Sequence, residues 1–148
     1  MASELDFLNS NFEINSKKKK MKTNPAVWFE IYVEDMNRAK KFYETVLDVE
    51  LQKLPMPDTL DSDMVMMAFP SEMTAAGASG TLVKMSGFKP GAGGSLIYFG
   101  SEDCSVEEKR IEKAGGKIHQ SKQSLGEHGF MVLAGDTEGN MFGIHSMA

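Results

Sequence analysis

The chain has 148 residues, 41% apolar and 25% charged, with a formal charge of −5. That length supports a sizeable core in one domain or two tightly packed halves, and the acidic balance argues against a nucleic-acid partner. No apolar run approaches the roughly 20 residues that span a bilayer, the N-terminus lacks the apolar stretch of a signal peptide, and the lone Cys104 excludes an internal disulfide and fits a reducing cytoplasm.

Residues 1–24 are polar and aperiodic and read as a disordered extension. Lys17–Lys20 form a short like-charge run, too small to argue for a membrane or nucleic-acid surface. A start at Met21 would remove that run and leave the folded part acidic. Val27-Trp-Phe-Glu-Ile-Tyr-Val33 is a short apolar strand, and Glu34-Asp35 is an acidic turn. A helix follows, with Asn37 as its expected N-cap. Ala39, Phe42, Tyr43 and Val46 fall at i, i+3, i+4 and i+7, which makes one apolar face. Three strands are predicted next, at Val49–Leu54, Met64–Phe69 and Thr81–Met85, and residues 89–94 are a Gly-rich linker.

The second half repeats this order. Leu96-Ile-Tyr-Phe99 is a strand, and Ser105 is the expected N-cap of a helix, with Ser105-Val-Glu-Glu108 as a capping box. Val106, Ile111 and Ala114 carry its apolar side, and Gly115-Gly116 ends it. Strands follow at Lys117–Ser121, Gly129–Ala134 and Met141–His145. Glu30–Asn37 aligns on Tyr98–Ser105, so Glu34-Asp35 falls on Glu102-Asp103 and Asn37 on Ser105. The chain therefore reads as two βαβββ modules, residues 25–88 and 95–148, of α+β class. Each helix is expected to cover the outer face of its own curved mixed sheet. The other faces must be buried by each other, by a partner chain or by a ligand, and a cleft of this kind is the default ligand site.

Two segments carry a resemblance. Val33-Glu-Asp-Met-Asn-Arg-Ala-Lys-Lys-Phe-Tyr43 and Gly135-Asp-Thr-Glu-Gly-Asn-Met-Phe-Gly-Ile-His145 resemble the strand-to-helix and closing-turn signatures of the vicinal oxygen chelate superfamily. That superfamily includes glyoxalases, extradiol dioxygenases, and bleomycin- and fosfomycin-resistance proteins. The resemblance implies the paired-module fold, a small-molecule ligand and a homodimer. Metal-dependent members hold their ion on inward positions of four strands. The resemblance puts Trp28, Leu96 and Gly143 at three of these, and Lys84 or a neighbour at the fourth. Trp, Leu and Gly side chains cannot ligate zinc or iron. No metal and no other cofactor is therefore expected.

Polar groups occur two residues further along the same strands. These are Glu30, Tyr98 and His145, and a shift of two keeps a strand side chain on the same face. They are the candidate catalytic residues. Glu30 interrupts an apolar strand, where burial would raise its pKa and suit a proton shuttle. The other reading is a carboxylate bonded to a neighbouring strand or lying on an exposed edge. His145 and Tyr98 would position or polarise the substrate, or serve as ordinary strand residues with a polar tip. Trp28, Leu96, Met64 and Met66 are the candidate substrate-binding wall, with Met adapting to varied ligands. A divalent metal at a displaced site involving Glu30 and His145 is the alternative to a metal-free cleft. The functional expectation is a glyoxalase/bleomycin-resistance-like protein that binds a small molecule in the cleft, with a lyase, isomerase or oxygenase-like activity using Glu30 as proton shuttle left open. The alternative is a non-catalytic, metal-free protein that sequesters a small molecule or drug.

Overall fold

Alternation within Val27–Val33 decides how the first strand sits. In the computed structural model, which describes residues 26, 28–55, 63–72, 74–93 and 96–148, β1 spans Trp28–Tyr32. Phe29 and Ile31 join the core, while Trp28, Glu30 and Tyr32 take the opposite face. The extension at residues 1–24 lies outside the described residues.

Helix α1 spans Met36–Leu47, and its buried residues are Ala39, Phe42, Tyr43 and Val46, the four the spacing predicts. Its N-cap is Asp35 rather than Asn37: the Asp35 carboxylate accepts from the Arg38 N–H at 2.9 Å, and its backbone is already extended. Helix α2, Cys104–Ile111, is likewise capped by Asp103 rather than Ser105, through a 3.0 Å bond from the Ser105 N–H. The expected box at Ser105–Glu108 is not formed, because Glu108 accepts from the Lys122 N–H instead. Val106 is exposed rather than core-facing, and Cys104 and Ile111 are the buried residues of α2.

The remaining strands are β2 (Gln52–Lys53), β3 (Val65–Ala68), β4 (Ser79–Lys84), β5 (Ile97–Gly100), β6 (Lys117–Ser124), β7 (Phe130–Gly135) and β8 (Met141–Ser146). They form two four-stranded sheets of order β1-β4-β3-β2 and β5-β8-β7-β6. In each sheet the first strand pairs in parallel with the last, and the other pairings are antiparallel. Both modules are thus βαβββ units of α+β class with matching topology.

The two modules share one core on the helix side. Phe29 meets Phe99 with ring centroids 5.8 Å apart, Tyr43 meets Phe142 at 5.7 Å, and Phe42 meets Phe142 at 5.9 Å. Edge-to-face aromatic contacts of this kind add about 0.5–1.5 kcal/mol each beyond area burial.

A polar clamp joins the modules at one end. The turn after β7 sends Glu138 into the β1–α1 corner. Its carboxylate accepts from the Asp35 N–H (2.8 Å), the Glu34 N–H (3.2 Å), and Arg38 Nε (2.8 Å) and Nη2 (3.0 Å). Asp136 accepts from the Tyr43 hydroxyl at 2.8 Å. Asn140 Nδ2 donates to the Tyr32 carbonyl (2.9 Å), and Asn140 Oδ1 accepts from the Gly91 N–H (2.8 Å). The two segments that resemble family signatures are therefore the two halves of one structural joint.

Candidate functional site

The helices occupy one face of each sheet and leave the other face open to a ligand. Strand register fixes which residues share it. Glu30 stands opposite Thr81 and Tyr98 opposite Gly143, while His145 stands opposite Met131 and Met66 opposite Val83. Glu30, Tyr98 and His145 all lie on helix-free faces, as strand parity requires. Trp28, Tyr98 and Leu96 are 48%, 46% and 42% exposed, unusual for large side chains of this kind. Met64, Met66 and His145 are half-buried.

These residues do not converge in one pocket. Trp28 borders a hollow of about 530 Å³ formed with the loop after β3, including Pro70, Glu72 and Ser79. Glu30 lines a different cavity of about 260 Å³ between the modules, with Tyr32, Lys89, Ile97, Asn140 and Met141. Tyr98 and His145 lie outside both linings, on the β5–β8 face.

Glu30 is exposed, not buried, and its Oε2 accepts from the Tyr32 hydroxyl at 2.9 Å. A proton shuttle at Glu30 depends on burial in an apolar strand. That premise fails because β1 is an edge strand whose outer face is open. The hydrogen bond to the Glu30 carboxylate, then burial, pushes the Tyr32 phenol above its ordinary pKa. Tyr32 also stacks on Phe88, with ring centroids 5.1 Å apart and planes at 19°.

The positions that the family resemblance gives to a metal do not fit one. Trp28, Leu96 and Gly143 offer no donor. The space in front of Gly143 is also filled. A Cβ there would lie 2.2 Å from Tyr98 Cε1 and 2.3 Å from Cδ1, so the ring of Tyr98 occupies the volume a ligating side chain on β8 would need. Among the described residues no group of three or more His, Cys, Asp or Glu comes together to hold an ion.

Sequence reasoning missed Tyr32, Lys89 and Asn140 as neighbours of Glu30. Tyr32 had a signal, since it shares the parity of Glu30 on β1. Lys89 and Asn140 had none, because the linker and the β8 turn reach the cavity only through the clamp.

Comparisons with known proteins agree with this architecture. A sequence profile of the bleomycin resistance protein-like N-terminal family matches residues 26–69. No curated protein matches the chain by sequence. Among solved structures, glyoxalase I from Zea mays superposes with a TM-score of 0.64 at 17% identity, covering 88% of this chain and 48% of that one. The chain thus spans about half the length of the maize protein. An antibiotic-binding protein from a Streptomyces species matches with a TM-score of 0.58 at 19% identity, covering 87% of this chain and 100% of that one. A glyoxalase/bleomycin resistance protein/dioxygenase superfamily member from Sphaerobacter thermophilus gives 0.60 at 19% identity, with coverages of 85% and 99%. At these identities the structural matches establish the fold.

Proposed function

We propose, for a chain with the glyoxalase/bleomycin-resistance/dioxygenase fold and a bleomycin-resistance-like first module, that it binds a small molecule without a metal and without turning it over. The observation that carries this reading is the Tyr98 ring seated on Gly143. A chelating site needs a donor on β8, and here that volume holds an aromatic ring. The antibiotic-binding protein from Streptomyces, which shares the fold, supports the same reading.

The enzyme reading is weaker. Glu30, the candidate proton shuttle, is open to solvent rather than buried in the strand. Its carboxylate is better suited to receive an ammonium or hydroxyl group of a ligand. The apolar contact comes from the lining of the Glu30 cavity itself, Ile97 and Met141 among it, while Trp28, Leu96, Met64, Met66, Tyr98 and His145 lie outside that lining. We also assign the chain to a reducing cytoplasm, where the buried Cys104 stays a thiol. The helix-free faces, with Trp28, Leu96 and Tyr98 exposed, are our choice for a homodimer contact.

The test is a thermal-shift screen of the untagged chain against a metabolite and drug library, with zinc, nickel, manganese and iron salts alongside. We expect one or more organic ligands to raise Tm and none of the ions to do so. A stabilising ion, or about one equivalent of metal in protein purified without chelators, would overturn the metal-free reading. A library with no stabilising compound would overturn the binding reading.

A further inference from the structure

The cavity between the modules has walls of opposite charge. Glu30 and Tyr32 reach it from β1, and Lys89 enters it from the linker. Among the described residues neither Glu30 nor Lys89 makes an ion pair, with the other or with any third group. Among the described residues the one hydrogen bond to the Glu30 carboxylate is donated by Tyr32. Two opposite charges thus line one cavity with no ion pair between them. The same lining includes the apolar Ile97, Met141 and Phe142.

The placement of those walls is built into the fold. Asn140 holds both of them: Nδ2 donates to the Tyr32 carbonyl on β1 at 2.9 Å, and Oδ1 accepts from the Gly91 N–H on the linker at 2.8 Å. Asn140 is itself fixed by Asp136, which accepts from its N–H at 2.8 Å and from Nδ2 at 3.0 Å. Lys89 lies two residues before the tethered Gly91, and Pro90 between them restricts the backbone. The volume, about 260 Å³, falls below the roughly 300–1,000 Å³ of sites for drug-sized ligands. The occupant is accordingly a small molecule.

We propose, resting on the binding reading above, that this cavity takes a small zwitterion with an apolar body, the chemistry of a free apolar α-amino acid. The ammonium group sits at the Glu30 carboxylate, the carboxylate at the Lys89 ammonium, and the side chain on Ile97 and Met141. Each charged contact is useful only while the other end is held, so a ligand with one charge binds less well than a ligand with both.

The experiment is isothermal titration calorimetry of the full chain with three molecules of one shape: L-leucine, 3-methylbutylamine and 4-methylpentanoate. Leucine is expected to bind saturably, and each single-charge analogue about tenfold more weakly, as loss of one charge-assisted hydrogen bond implies. Glu30→Gln should bring leucine down to the level of 4-methylpentanoate on the native chain, and Lys89→Met down to the level of 3-methylbutylamine. Both positions are exposed, so both variants should keep the native circular dichroism spectrum. Leucine binding no tighter than its analogues, or binding indifferent to both substitutions, overturns the proposal. If leucine is inert while the library screen yields a ligand, the zwitterion assignment falls and the binding function stands. If both are blank, both fall.

Discussion

The Glu138 carboxylate is buried, and it collects hydrogen bonds from two backbone N–H groups, Arg38 and Thr137. Burial pushes its carboxyl pKa up. The bonds from Arg38, the Asp35 N–H and Thr137 outweigh that push and hold the pKa at about 2. A carboxyl with a folded-state pKa below its unfolded value stabilises the fold only while it is ionised. Its contribution is complete above the ordinary Glu range near 4.5 and is lost as pH falls toward 2. Acid unfolding of the native chain should therefore steepen between those limits. Glu138→Gln keeps the shape but loses the charge opposite Arg38, so it should cost about 2–3 kcal/mol in urea denaturation at pH 7. It should also flatten the dependence of stability on pH between 4.5 and 2. A variant that keeps the native slope would show that the clamp does not depend on this charge.

At the scale of elements, the β5–β8 pair turns on one missing atom. Gly143→Ala drives a Cβ into the Tyr98 ring at 2.2 Å, which overpacking data put at about 1–3 kcal/mol. Removing the ring first should remove the clash. In a Tyr98→Ala background the same Gly143→Ala step should cost no more than about 0.5 kcal/mol. Chemical denaturation of the four proteins of the cycle measures this, and an equal cost in both backgrounds would mean the ring has no seat on Gly143. Elements of this size were largely legible in the sequence. Helix α1 was, because its apolar spacing and its buried residues are the same set. Its cap was misread by two residues, although the aligned Glu34-Asp35 and Glu102-Asp103 held the signal: Asp35 and Asp103 are the caps. Starting α2 at Cys104 rotates its buried face onto Cys104 and Ile111, which is why Val106 turns outward. The site was legible only in part. Alternation says which face of a sheet Glu30, Tyr98 and His145 occupy, but it is silent on how far apart two sheets lie. That distance is set by Glu138 reaching back to Arg38 and by Asn140 reaching Tyr32, contacts about a hundred residues apart in sequence.

For the molecule as a whole, the helices and the shared aromatic core cover one side of both sheets and leave the other side open. Trp28, Leu96 and Tyr98 are large side chains left exposed on that open side. A second copy applied to these faces would bury them in an interface of the usual 1,200–2,000 Å² class, an order-of-magnitude size for stable complexes. Light scattering behind gel filtration should therefore give twice the chain mass at micromolar concentration. Trp28→Glu combined with Leu96→Glu should return the mass of one chain with an unchanged circular dichroism spectrum. A native monomer, or a double variant that stays dimeric, would refute this contact. The same variant separates two roles that the sequence merged into one cleft. Glu30, Lys89 and Asn140 line a cavity made within one chain, whereas Trp28 and Leu96 face outward. A monomeric variant that still binds L-leucine would show that the ligand cavity is complete in a single chain. Loss of binding on dissociation would show instead that the partner copy closes it.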